Sequence, residues 1–321
     1  MSSFRLWSDE IESLRPEARK VVAEGFAAFS ELLGRDATPP EDRFERARQQ
    51  RESHAKNFHV SPDVIEREIA GVRCRLALPE GPARAVYLHF HGGGMVAGAP
   101  EMMDLGSVHL ARTYGIAVVS VDYRKAPEHP HPAGPDDGVA VAAWLVERAE
   151  SEFGSGRLLM GGESAGGYMT AAVLLRIRDE LDAVDRVLGA NLVFGVYDWG
   201  RSPSQRGLRP HDGPDVLSPE GISWFTECYV PDMSDDERRD PSISPAFADL
   251  SGLPPALFSV GSTDHLVDDT LMMASRYSAY GNDTELFIAP DMPHGFMAFP
   301  CGITAAWQQT THAWLTRVLG N

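Results

Sequence analysis

The chain has 321 residues, enough for one large α/β domain or a core with a small accessory domain, and its 43% hydrophobic and 23% charged residues argue against disorder and collagen-like structure. Its formal charge of −17 repels phosphate backbones and anionic lipid surfaces, so no nucleic-acid or membrane partner is expected. Three widely spaced cysteines, Cys74, Cys228 and Cys301, match no zinc or redox motif and read as reduced thiols.

Met1 to Lys20 carries Asp9, Glu10, Glu12 and Glu17, which interrupt any secretory apolar run. No stretch of 18 apolar residues follows, so the cytoplasm is the expected location. Residues 16–34 set Val21, Val22, Phe26, Phe29, Leu32 and Leu33 at helical spacing, with Gly34 as a C-cap. Residues 41–57 are charged and read as helical or loose. From residue 64 the pattern turns strand-like, at Val64–Ile69 and Val72–Leu78. Ala85–Phe90 and Ala117–Val121 are short apolar runs, as strands buried on both faces require. A helix is predicted at 135–149 with Pro135 early in it, then a strand at Leu158–Met160, a turn and a helix over 165–180. Leu188–Phe194 is a further strand.

The rhythm lapses over 197–250, where prolines and charges mix with Trp199, Trp224, Phe225 and Tyr229. It returns with strand Ala256–Val260, helix 268–280, strand Glu285–Ala289 and a final helix near 303–319. Alternating strands and helices argue for a mostly parallel sheet with helices on both faces. The expected division is 1–58 as an N-terminal helical cap segment and 59–321 as the catalytic domain. Residues 197–235 form a cap insertion within that domain.

Gly162-Glu163-Ser164-Ala165-Gly166 joins an apolar strand to a helix. A serine in such a sharp turn exposes its hydroxyl, and the flanking glycines avoid clashes within the turn. Alone the motif is weak; the strand-turn-helix setting strengthens it. His91-Gly92-Gly93-Gly94 directly follows another strand and is far rarer by composition. Its glycines leave backbone N–H groups bare, and with the N–H of Ala165 they could hold the oxyanion of a tetrahedral intermediate. A flexible glycine turn is the plainer alternative.

A nucleophilic serine needs a base, and the base needs an acid to orient it. Asp264 follows strand Ala256–Val260, and His294 follows strand Glu285–Ala289. Both therefore sit just past strand ends, where open α/β sheets carry their sites. Asp268 and Asp269 rival Asp264, but they start a helix and suit its dipole. His265 precedes the last strand and makes a poor base. His129 and His131 lie between prolines without an evident third metal ligand.

Taken together, these motifs resemble the hormone-sensitive lipase family of α/β-hydrolases over roughly residues 60–319. The matching residues are His91-Gly92-Gly93-Gly94, Asp122-Tyr123-Arg124 with Ala126-Pro127-Glu128, Gly162 to Gly167, Asp264 with Leu266 and Asp268, and His294-Gly295-Phe296. The resemblance implies a sheet of about eight strands, a cap from the N-terminal helices and the 197–235 region, and esterase activity on short acyl chains without a cofactor. It implies Ser164 as nucleophile, His294 as base and Asp264 as its partner, with oxyanion donors at Gly92, Gly93, Gly94 and Ala165. Two departures stand out. Glu163 replaces a common Asp, and Lys125 replaces an apolar residue, which bears on local packing. The stretch Arg124–Asp137 reads as a structural loop, with Asp137 anchoring the helix.

Amide or lactone hydrolysis by the same residues is the nearest rival reading. A non-catalytic small-molecule receptor is disfavoured because all three residues are present, and an Asp-nucleophile reaction because the elbow carries Ser164. Met95, Val96, Trp199, Trp224, Phe225, Tyr229, Leu266, Phe296 and Met297 are candidates for an apolar pocket wall. Ordinary packing explains each equally well, Phe296 excepted. The expected partner is a small ester; no metal is expected, and a homodimer is open.

Overall fold

The computed structural model describes residues 5–32, 41–56, 58–209 and 213–320. Among the described residues three helices precede the sheet: α1 (Asp9–Ser13), α2 (Arg15–Leu32) and α3 (Arg43–Ala55). Val22 on α2 is buried, and Val21 and Phe26 pack partly buried beside it, in a cluster that includes Phe296 and Trp307. The side chains of Phe29 and Leu32, together with Leu33 and Gly34, lie outside the described residues. Helix α3 is almost wholly polar, and Ala47 is its one buried residue. Arg51 ties it to the body: Nε donates to the Val96 carbonyl (2.7 Å), Nη2 to that of Ala126 (2.6 Å), and the guanidinium pairs with Glu128 (2.7 Å).

The apolar runs become one eight-stranded sheet. In chain order its strands are β1 (Val64–Ile69), β2 (Val72–Ala77), β3 (Val86–Phe90), β4 (Ala117–Val121), β5 (Leu158–Glu163), β6 (Val187–Val193), β7 (Ala256–Gly261) and β8 (Thr284–Ala289). Their spatial order is β1-β2-β4-β3-β5-β6-β7-β8. β1 and β2 pair antiparallel, as do β2 and β4; every other neighbouring pair is parallel. β3, β4 and β7 are buried at every position, because helices cover both faces.

The covering helices are α4 (Asp104–Tyr114), α5 (Ala133–Phe153), α6 (Ala165–Leu181), α8 (Val267–Ala279) and α9 (Gly302–Val318), while α7 (Pro219–Tyr229) borders the cavity instead. The mostly parallel α/β-hydrolase sheet thus matches the expectation, with strand ends moved by a few residues. Besides the short α1, two helices carry no prediction. α4 mixes apolar and polar residues and follows a Pro-led single turn at Pro100–Met103. α7 begins at Ser218, whose side chain accepts from Gly221 N with Pro219 at the first helical position, inside the stretch whose rhythm lapses. Among the described residues, no helix is long and apolar enough to cross a membrane.

Asp268 and Asp269 do more than face a helix dipole. Asp268 accepts from Ser204 N (2.9 Å). The buried Asp269 carboxylate accepts from the N–H groups of Tyr197 (2.7 Å) and Asp198 (2.9 Å), the Ser202 hydroxyl (2.6 Å) and the Gln205 amide. It therefore pins the chain that leads from β6 toward α7. Lys125 is likewise accommodated, its ammonium 2.6 Å from Asp122. Asp137, in the second turn of α5, accepts from Arg124 N (2.8 Å) and binds the Arg124 guanidinium, fastening the preceding loop to the helix.

Candidate active site

Ser164 stands between β5 and α6 with φ 57° and ψ −120°, a conformation few L-residues adopt. The glycines around it are steric requirements. A methyl group on Gly162 or on Gly166 would overlap the carbonyl oxygen of Phe90, the last residue of β3. The turn is thus pressed against the neighbouring strand, which leaves the Ser164 hydroxyl as the group that projects.

His294 meets that hydroxyl, its Nε2 lying 3.0 Å from Ser164 Oγ. On the other side its Nδ1 lies 2.8 Å from Oδ2 of Asp264, whose side chain is wholly buried. Oδ1 of Asp264 accepts from Leu266 N at 2.8 Å, so both carboxylate oxygens have donors facing them. Phe194 packs edge-on to the His294 ring, with centroids 4.7 Å apart. This chain of contacts can move a proton from a hydroxyl to an imidazole whose resulting charge faces a carboxylate.

His91 to Gly94 curls beside Ser164. Gly92 lies against the Glu163 carbonyl and the Ser164 Cβ. Gly93, with φ 126°, leaves no room for a side chain against the Ala97 carbonyl, and its own carbonyl accepts from Val96 N and Ala97 N. Gly94, with φ 63°, lies directly under the Phe225 ring. Ala165 opens α6, so its N–H has no partner within the helix. All four residues border the same cavity as Ser164. His91 itself faces the core: it stacks on Tyr123 (centroids 4.3 Å), and its Nδ1 donates to the Gly92 carbonyl (2.7 Å). Burial, with Lys125 adding to it, lowers its pKa to about 3, so it is neutral.

The cavity holds about 830 Å³ and runs from these strand ends up to α3 and α7. Trp199, Trp224, Phe225, Leu266 and Met297 line it as candidates from the sequence. Four other candidates do not reach it. Met95 and Val96 are fully buried because the glycine turn drives the chain back into the core, where Met95 packs on Gly134. Tyr229 is turned away, its hydroxyl 2.8 Å from that of Tyr168. Phe296 is spent between Phe194 and Trp307. His265 sits elsewhere, with its ring nitrogens on the Ser204 carbonyl (2.8 Å) and Asp215 (2.9 Å). His131 bonds Tyr229 (3.2 Å).

Sequence reasoning gave no hint of one wall. Arg46, Gln49, Gln50, Ser53 and His54 of α3 border the cavity. They fall at i, i+3, i+4, i+7 and i+8, one face of a helix. That spacing is present in the sequence, but α3 has no apolar face to say which side looks inward. Glu163 and His89 also border it, His89 joining Glu163 (3.1 Å) to Ser120 (2.7 Å).

A sheet in this order, with a strained serine past its central strand and a histidine and aspartate past the last two, defines an α/β hydrolase. The model of the α/β-hydrolase fold matches residues 87–298, and the chain belongs to that family, among its hormone-sensitive lipase-like members. It is 36% identical over 233 residues to carboxylesterase NlhH of Mycobacterium tuberculosis, covering 70% of each chain. It is 29% identical over 218 residues to the ethyl acetate hydrolase of Pseudomonas putida, covering 67% of each. The solved structure of a hormone-sensitive lipase from a metagenome library superposes with TM-score 0.75 at 27% identity, over 95% of this chain and 98% of that one.

Proposed function

We propose that the chain is a serine carboxylesterase that hydrolyses small esters with short acyl groups through an acyl-enzyme. The observation that carries this reading is the line Ser164–His294–Asp264, with links of 3.0 and 2.8 Å on the floor of a covered cavity. Two relatives named for ester hydrolysis, one of them for ethyl acetate, support it.

In this reading the Ser164 hydroxyl attacks the ester carbonyl while His294 Nε2 takes its proton. Asp264 holds the imidazole in the tautomer that leaves Nε2 free to accept, and it faces the imidazolium that forms. The oxyanion turns toward the N–H groups of the Gly92–Gly94 turn and Ala165, each donor worth about 3 kcal/mol in such sites. His294 then returns the proton to the departing alcohol. Water, deprotonated by the same ring, attacks the acyl carbonyl and releases the acid and Ser164. The roof of α3 and α7 favours single dissolved esters over a lipid surface.

The test is hydrolysis of p-nitrophenyl acetate, butyrate, octanoate and palmitate, with Ser164→Ala as control. Turnover that peaks at the short chains and vanishes in the variant is expected. Preference for palmitate overturns the short-acyl reading, and full activity in Ser164→Ala overturns the nucleophile.

A further inference from the structure

A cavity of about 830 Å³ is far more than an acetyl or butyryl group fills, and the space beyond Ser164 is not uniformly apolar. Its far wall is the polar stripe of α3. Within that stripe Arg46 is half-buried, and its guanidinium stacks 4.1 Å from the centroid of Trp224. Trp224 in turn lies against Phe225 (centroids 4.9 Å), and Phe225 covers Gly94. The cation therefore stands two aromatic rings from the turn beside Ser164. Among the described residues it forms no ion pair with any carboxylate, although 46 acidic residues crowd this chain. On the same helix Arg48 pairs with Glu45 and Glu52, and Arg51 with Glu128, whereas the exposed Arg43 lies over Phe44. Burial depresses the Arg46 pKa, as expected for a cation that has lost water without gaining an anion. Gln50 stands one turn further along the same wall.

Among the described residues two carboxylates also border the cavity, and neither forms an ion pair with Arg46. Glu163 is engaged by His89 on the floor, and Glu220 is exposed on the first turn of α7. A guanidinium held over an indole in a pocket wall is suited to a carboxylate.

We propose that Arg46 is a specificity-determining residue that binds a carboxylate carried by the substrate at a distance from the scissile ester. The substrate class is then an ester of short acyl length bearing an anionic group, such as the acetyl ester of a hydroxy acid or the half-ester of a dicarboxylic acid. This rests on the esterase reading above for the chemistry, but not for the binding.

The experiment compares matched esters on the wild type, Arg46→Met and Arg46→Lys. One arm sets 6-acetoxyhexanoate against its neutral amide and against acetylcholine as a cation. The other sets mono-p-nitrophenyl adipate against p-nitrophenyl hexanoate. In at least one arm, the ratio of kcat/KM for anion over neutral ester should fall about tenfold or more in Arg46→Met, mainly through KM. Arg46→Lys should restore part of it. Equal ratios in wild type and Arg46→Met in both arms, or a wild-type preference for acetylcholine, overturn the proposal. Calorimetry on Ser164→Ala with 6-acetoxyhexanoate separates the two readings. Arg46-dependent binding without wild-type turnover of any ester would leave this inference standing and sink the esterase reading. Turnover with Arg46-independent binding would do the reverse.

Discussion

Arg15 on α2 grips Asp291, three residues before His294, with Nε 2.7 Å from Oδ2 and Nη2 3.1 Å from Oδ1. Arg19 adds a third contact at 2.7 Å. The same loop is stitched to the one that carries Asp264: Asp291 N donates to Ser262 Oγ (2.9 Å), and Thr263 N to the Met292 carbonyl (3.1 Å). The N-terminal helix thus braces the imidazole from outside the cavity.

Arg15→Ala should therefore lower kcat by roughly tenfold while KM changes less, since sub-ångström errors at reacting groups cost rate. Arg15→Lys should recover part of the loss. Steady-state kinetics well below the melting temperature check this. A lowered Tm with unchanged kcat would mean that the contact is structural alone.

Asp264→Asn should reduce kcat by about 10⁴, as expected when the imidazole is held in the wrong tautomer. Ser164→Ala should also abolish labelling by a fluorophosphonate, read by intact mass. Labelling that persists in Ser164→Ala would point to another nucleophile.

His91 makes one contribution to the pH dependence of stability. In the folded chain burial keeps it neutral, with its pKa lowered to about 3, whereas the unfolded imidazole takes a proton near 6.5. At this residue the unfolded state therefore binds more protons between these values, so the His91 contribution to stability falls as pH drops from about 6.5 toward 3, opposed by the buried Asp269, whose pKa burial raises to about 7. The limiting slope is about 1.4 kcal/mol per pH unit. Asn can keep the donor to the Gly92 carbonyl. Denaturant titrations across this window should show a shallower acid loss for His91→Asn than for the wild type.

Asp269→Ala should destabilise by about 3 kcal/mol or more, because it strands the buried N–H groups of Tyr197 and Asp198 and the Gln205 amide. Hydrogen exchange should rise first over residues 197–205. Uniform exchange along the chain would argue against a local anchor.

The frame was legible because buried parallel strands are written as short apolar runs, and β3, β4 and β7 have no other reading. The candidate site residues were legible because glycine stands where a strand forbids a side chain, and because chain order points to the strand end that carries each of them. The pocket wall was legible only in part. Tyr229 and Trp199 are both aromatic and buried in the same cluster, yet only one meets the cavity. That choice is made by how the turn at Trp199 and the end of α7 aim their side chains, which leaves no trace in composition. Helix α3 defeats the usual logic in the opposite sense, since its inward face is polar and it is held by Arg51, by Ala47 and by Arg46 over Trp224.

Phe90 ends β3 and touches both glycines of the serine turn, while Gly92, two residues on, rests on Glu163 and Ser164. Two motifs far apart in the chain are therefore a single mechanical part. A substitution tolerated in one is tolerated only in the company of the other, so effects at these positions should combine with strong epistasis rather than add. Anyone grafting this site onto a new scaffold would have to transplant the glycine turn and the serine turn together, with the strand pairing that presses them into contact.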